Sequence, residues 1–203
     1  MSTPFNPLDK INLGKSVAEA LLETSPTPLA EIEPFNGAGI YAIYYTGEFP
    51  TYAPIAERNR EGRFTLPIYV GSAVPPGGRK GGLGLSDATH SKLHGRLAKH
   101  RQSLEAVVNL DIKDFQCRHL LVDDIWIPLG ESLLIATFAP LWNQKLDGFG
   151  NHDPGKGRYQ QLRSQWDTVH PGRNWAEKCK ERPETPKQLL ADIESYLRTA
   201  KLP

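Results

Sequence analysis

The sequence is short of the features that most readily assign a class. Of its 203 residues only two are cysteines, Cys117 and Cys179. They lie far apart and outside any CxxC spacing, which argues against a zinc knuckle or a disulfide framework and leaves two free thiols. No run of about eighteen apolar residues occurs, so no membrane-spanning helix is expected. The opening MSTPFNPLDK lacks the basic start and apolar stretch of a secretory signal, and a cytoplasmic protein is the expectation. Net charge is scarce too: the formal total is +1, unlike a strongly basic nucleic-acid binder. Internal repeats and low-complexity segments are missing, and this length suits one substantial core with appended arms.

The charge that is present is unevenly spread. Residues 1–37 hold five acidic and two basic side chains, whereas residues 77–118 hold eight basic against four acidic, with His90, His94 and His100 added. Residues 144–182 again hold eight basic against five acidic. Positive charge gathers after the first third of the chain, as expected where one surface meets phosphates and another does not. Basic faces that are simply solvated are the plainer alternative.

Two tyrosine triplets organise the rest. Gly39-Ile40-Tyr41 lies in GAGIYAIYYTG and Tyr69-Val70-Gly71 in PIYVGSAV, both rich in β-branched and aromatic residues and bounded by Gly or Pro, as strands are. Alternation puts Tyr41, Ile43 and Tyr45 on one face and Ile40, Ala42 and Tyr44 on the other. Paired strands would present Tyr41 and Tyr69 on one surface. The triplets are 28 positions apart, Tyr41 to Tyr69. An insertion at a hairpin tip is cheap in loop-closure entropy, so pairing is still expected. Arg58, Arg60 and Arg63 make that insertion a candidate DNA-contacting lobe, although arginines in a polar loop are often only solvated.

Other elements follow in order. Residues 9–24 space Val17, Ala20, Leu21 and Leu22 as a helix does, and this acidic helix is expected to pack on the core or on a partner subunit. After Gly71, SAVPPGGRKGGLGLSD has neither GxxxxGK[ST] nor GxGxxG spacing, so a mobile loop carrying Arg79 and Lys80 over DNA is the better reading. Residues 90–107 form the most convincing helix: at ~100° per residue, Leu93, Leu97, Leu104 and Val107 make a stripe, with Arg96 at about −60° and His100 at about −20°. A charge turned toward a core is costly without a partner, so these two residues need an explanation. A third strand is expected over 114–122. In IPLGESLLIATF, Glu131 shares a helical face with Leu134, Ile135 and Phe138; Pro140 ends the helix and Asn143 follows.

Residues 144–182 read as an irregular tail with a short helix around 158–167. It mixes basic and amide side chains with Phe149, Tyr159, Trp166 and Trp175, a composition suited to phosphate clamps and base-edge contacts. Residues 185–200 read as an amphipathic helix with Leu189, Leu190, Ile193 and Leu197 inward. His90 and His94 are four apart without a third ligand, so they read as phosphate contacts or solvated groups.

Strand, strand, helix with Arg96 and His100, strand, helix with Glu131, then PLWN: from about Gly37 to Asn143 this order resembles the GIY-YIG endonucleases, and specifically their type II restriction branch. Triplets this far apart depart from most members. The resemblance implies an α+β fold with a small, mainly antiparallel three-stranded sheet flanked by helices. It divides the chain into an N-terminal helical arm over 1–37, a catalytic core over 38–143 with an insertion at 47–66 and a basic Gly-rich loop at 73–89, and a DNA-contacting C-terminal extension over 144–203. It implies catalytic roles for Tyr41, Tyr69, Arg96, His100, Glu131 and Asn143. One inward carboxylate suggests a single ion on Glu131, Mg²⁺ with Mn²⁺ as a substitute. The C-terminal segment is similar to enzymes cutting palindromes such as CCGCGG, which implies double-stranded DNA as partner, a homodimer, and a cognate DNA methyltransferase as genetic partner. Candidate DNA contacts are Arg79, Lys80, Asn151, His152, Arg158, Gln160 and Arg173.

Each site residue has a plainer reading alone: strand tyrosines pack, His100 is a hydrogen-bonded core histidine, Glu131 is an ion-pair partner of Arg96. At the level of function, a homing or repair nuclease and a catalytically silent DNA-binding protein of the same fold are the alternatives. The nuclease reading requires the phenols, guanidinium, imidazole and carboxylate to converge on one pocket.

Overall fold

A computed structural model describes Asn6 and residues 8–75 and 90–200. Helix α1 (Lys10–Glu23) starts where the Asp9 side chain accepts from the Ile11 N–H. Strands β1 (Thr27–Pro28) and β2 (Gly39–Tyr45) follow, then α2 (Ala53–Asn59), β3 (Tyr69–Ala73), α3 (Lys92–Ala106), β4 (Phe115–Leu121), α4 (Ile127–Phe138), α5 (Leu141–Gln144), α6 (Gln165–Val169) and α7 (Pro186–Thr199). The sheet is wholly antiparallel, in the order β1-β4-β2-β3. The core strands expected from the sequence are three of these; the fourth, β1, comes from the turn-prone stretch after α1. Its Pro28 lacks an N–H and is tolerated because the strand lies at the outer edge.

All seven residues of β2 are buried, so helices cover both faces of the sheet. Ile40, Ala42 and Tyr44 pack against α1 and α4, joined by Val70 of β3. Tyr41, Ile43 and Tyr45 face α3, α7 and the segment from Trp142 to Val169. A buried tyrosine needs a partner for its hydroxyl. Tyr44 Oη accepts from Arg118 Nη1 at 3.3 Å, Tyr45 Oη accepts from the Phe49 N–H at 2.7 Å, and Tyr41 Oη bonds His100.

Two expectations are corrected. The insertion between the triplets is no polar loop: Tyr52, Ile55 and Ala56 enter the core, and the fully buried Asn59 amide bonds Tyr45 O, Leu66 O and the Leu66 N–H. Arg60 donates to the carbonyls of Thr46 and Gly47, and Arg63 to those of Arg60 and Glu57. Those two guanidiniums close turns, while Arg58 is exposed. Nor is 144–182 a tail, because Leu146, Phe149, Trp166, Val169 and His170 are buried, and the helix expected around 158–167 is α6. The two segments meet. Tyr52 Oη and His170 Nε2 are 2.6 Å apart, His170 Nδ1 bonds Asn109 Oδ1 at 2.9 Å, and Trp142 Nε1 donates to Tyr52 Oη at 3.2 Å. Helix α7 closes this side with a capping box between Thr185 and Gln188.

Burial pushes the His170 pKa down to about 3 from its ordinary 6.5. The folded state therefore resists protonation that the unfolded chain accepts, so the stability His170 confers is complete above about pH 6.5 and is lost as pH falls toward about 3. His170→Gln is expected to destabilise the neutral protein by about 1–3 kcal/mol and to flatten its acid sensitivity. Urea midpoints between about pH 4 and pH 7 test this; an unchanged slope counts against it.

Candidate active site

Strands β2 and β3 pair with Tyr41 opposite Gly71 and Ile43 opposite Tyr69. The two phenols share a face, their ring centroids 6.2 Å apart. Gly71 has no side chain where Tyr41 crosses β3. A Cβ there would stand 2.6 Å from Tyr41 Cζ and 3.1 Å from Tyr69 Cε1, and nearer still to Tyr41 Oη. The glycine ending the second triplet is thus a steric condition for the tyrosine of the first.

Helix α3 supplies the next two groups from its inward face. His100, 2% exposed, places Nε2 2.6 Å from Tyr41 Oη. One turn earlier, the Arg96 guanidinium acts on both phenols, opposing the rise that burial imposes on the pKa of each. Arg96 Nε is buried without a partner among the described residues.

The remaining groups gather at the free edge of β3. Asn143 of α5 behaves as a one-residue strand there: its Oδ1 accepts from the Val70 N–H and its Nδ2 donates to Val70 O, each at 2.8 Å. Glu131 arrives from the opposite face, on α4, where its Oε2 accepts from Ser72 Oγ at 2.8 Å. Ser72 alternates with Gly71 and so points away from the phenols. The convergence on one pocket is therefore met only in part: Tyr41, Tyr69, Arg96 and His100 share one face of the sheet, and Glu131 reaches β3 from the other. Burial raises the pKa of both Tyr41 and Tyr69, and the Glu131 charge adds to the rise in each.

Burial sets the protonation states. It raises Tyr41 well above its ordinary 10, with further increases from Tyr69 and Glu131 that Arg96 opposes. Burial likewise pushes His100 well below 6.5, assisted by Arg96, His152 and Arg173. Desolvation works against the Arg96 charge, yet coupling to Tyr41 and Tyr69 leaves its pKa raised. A neutral phenol thus faces a neutral imidazole beside a fixed cation. With the imidazole proton on Nδ1, the Tyr41 hydroxyl donates to Nε2, the direction of proton relay from phenol to imidazole.

Residues 148–152 complete the wall. The Phe149 ring stacks on His100 at 4.5 Å and 17° and meets Tyr69 edge-on at 5.0 Å. A Cβ on Gly150 would lie 2.7 Å from Tyr69 Oη and 3.5 Å from Arg96 Nη2. Arg96 Nη1 donates to His152 Nε2 at 2.6 Å. The family model described as the Eco29kI GIY-YIG domain matches residues 33–197. The chain belongs to this family. No curated protein matches it.

As an Eco29kI-type GIY-YIG protein the chain is a nuclease of the restriction-endonuclease type, acting on DNA. No helix among the described residues is long and apolar enough to cross a membrane. Tyr41, Tyr69, Arg96, His100, Glu131 and Asn143 all surround β3. Among the candidate DNA contacts, His152 touches the cluster through Arg96, while Asn151, Arg158 and Gln160 are exposed. Arg79 and Lys80 lie outside the described residues. Arg173 is corrected: it is 4% exposed and paired with the buried Asp167, so it has no surface on which to read a base. Sequence reasoning missed Ser72, Phe149 and Gly150. Period-two counting from Val70 reaches Ser72, and the two glycines flanking Phe149 in DGFGNH signal close backbone approach.

Gly71→Ala is expected to displace the Tyr41 hydroxyl from His100 and to slow DNA cleavage on the order of a hundred-fold. A folded variant cutting at the wild-type rate would show that this contact does not matter.

Proposed function

We propose that the chain is a type II restriction endonuclease that uses Mg²⁺, with Mn²⁺ as a substitute, to hydrolyse both strands of duplex DNA at a GC-rich palindrome of the CCGCGG kind. The observation that carries this reading is the Tyr41 Oη to His100 Nε2 hydrogen bond beside the Arg96 charge. Phosphodiester hydrolysis needs an activated water, charge stabilisation on the phosphoryl oxygens and support for the leaving 3′-oxygen.

A free Tyr41 phenolate is a poor base here, because burial opposes it. A relay avoids that species. As water attacks phosphorus, its proton passes to Tyr41 Oη while the tyrosine proton moves to His100 Nε2. The new P–O bond forms as the P–O3′ bond breaks, and the leaving oxygen takes a proton from solvent. Arg96 and Tyr69 hold the non-bridging oxygens, and the phosphate charge beside Arg96 offsets the cost of the buried imidazolium. Asn143 keeps the edge of β3 in place.

Glu131, with the Ser72 hydroxyl at its side, suits a hard cation that retains most of its water; no group of three or more His, Cys, Asp or Glu side chains among the described residues forms a richer site. The bound ion would supply Lewis-acid stabilisation of the leaving oxygen. Two-fold target symmetry calls for a homodimer with one site per strand. Arg79, Lys80, Asn151, His152, Arg158 and Gln160 are the candidates for DNA contact, arginine being suited to guanine. A methyltransferase protecting the same sequence would accompany such an enzyme in the cytoplasm.

Tyr41→Phe and Glu131→Ala are each expected to cut plasmid DNA about 10²–10⁴-fold more slowly than wild type. If either keeps the wild-type rate, the mechanism is wrong. Sequencing the ends of digested genomic DNA gives target and overhang, and a light-scattering mass on cognate duplex gives the subunit count.

A further inference from the structure

We propose that Arg173 is the positioning residue of the active site, a clamp that fixes the 148–152 loop against Tyr69, Arg96 and His100 without touching DNA. This rests on the nuclease reading only for what the positioned groups do; the clamp itself is a matter of geometry.

The loop is poorly equipped to hold itself. Its sequence, Gly148-Phe149-Gly150-Asn151-His152, has two glycines, and Gly148 sits at φ +121, where side chains are rare. Three of its carbonyls converge on one guanidinium. Arg173 Nη2 donates to Gly148 O at 2.9 Å, and Nη1 donates to Phe149 O at 3.1 Å and Asn151 O at 3.2 Å. The other donors are committed to Asp167, Nε to Oδ1 at 2.6 Å and Nη2 to Oδ2 at 2.7 Å. Asp167 accepts in turn from Ser164 Oγ at 2.6 Å. The Trp166 and Trp175 rings lie 4.6 and 4.7 Å from the guanidinium carbon. All five donors of a planar fork are used, which the single ammonium of lysine cannot reproduce.

The held Phe149, and Gly150 and His152 on either side of the held Asn151, lead to the site. Phe149 covers His100, Gly150 admits Tyr69 Oη, and His152 takes the Arg96 Nη1 donor. Arg173 Nη1 also reaches Ser103 Oγ at 3.4 Å, on the helix that carries Arg96 and His100. A buried ion pair is weak support for stability. What this one fixes is the distance between a loop and three reactive side chains.

The titratable and charged groups facing His100 are Tyr41 from β2, Tyr69 from β3, Arg96 from its own helix, and His152 and Arg173 from the C-terminal segment. Arg173→Lys keeps the charge and loses the fork. Phe149 then no longer seals His100, water reaches the ring, and its titration midpoint rises toward 6.5. The acid limb of the cleavage rate moves to higher pH with it. We expect kcat to fall on the order of a hundred-fold with KM nearly unchanged. The His100 ring resonance is followed by NMR without DNA, on protein whose folded fraction is set by its melting curve. A purely structural role would scale activity with folded fraction at every pH and leave the midpoint where it was, and that result overturns the proposal. Should Arg173→Lys not fold, Asp167→Asn keeps the arginine and one acceptor oxygen. A smaller rise in the same midpoint is expected, and a wild-type midpoint and rate overturn the proposal. Because the NMR midpoint needs no cleavage, a protein that cuts no DNA would refute the nuclease reading and still decide the clamp.

Discussion

A phenol and an imidazole buried against each other constrain everything around them. An unsatisfied hydroxyl in that position would cost about 1–3 kcal/mol, and a phenolate or imidazolium far more. Tyr41 and His100 therefore rest as a neutral hydrogen-bonded pair. In the relay proposed above the same pair carries the proton, so stability and chemistry make opposite demands of it: folding favours the neutral state, and the proposed turnover departs from it briefly. An anion resting beside Arg96 would offset that departure. On that reading the DNA-free protein has no strong base.

A second buried tyrosine–histidine pair, Tyr52 with His170, shows what the arrangement does when it has no chemistry to perform. It joins the insertion between the triplets to the C-terminal segment, and Trp142 and Asn109 satisfy the remaining polar atoms. Two regions foreign to the shortest version of the strand–strand–helix unit thus fold on each other. Through Phe149, which packs against both Trp142 and Trp166, they form the bed on which His100 lies.

What the sequence disclosed follows from this division. The triplets, the α3 stripe with Arg96 and His100, and Glu131 on α4 lie on regular elements, so period two and period 3.6 locate them and their faces. The insertion and the C-terminal segment are built from polar residues whose partners are remote in sequence: Asn59 bonds Leu66 and Tyr45, His170 bonds Tyr52 and Asn109, Arg173 gathers the loop carbonyls. Composition reads such residues as surface, because nothing local distinguishes a satisfied buried arginine from a solvated one. Arg173 was therefore read as a DNA contact on chemistry it spends inside the protein, whereas the partly exposed Arg60 spends its own on the carbonyls of Thr46 and Gly47.

The arrival of Glu131 from the far face has a physical rationale of its own. On the phenol side it would stand next to Arg96, and an ion pair between them would neutralise the cation proposed for phosphate and the anion proposed for metal. That pairing was the plainer reading of the two residues in sequence. Among the described residues no salt bridge joins them, and Glu131 rests on Ser72 instead. The sheet separates the charges, and the edge position of β3 among the described strands would let both act at its rim in the proposed reaction. Asn143 then covers this edge, among the described residues, by bonding the Val70 amide and carbonyl. A catalytic centre at a sheet edge needs such a stopper, and an amide side chain, one donor and one acceptor in plane, matches the backbone groups it covers.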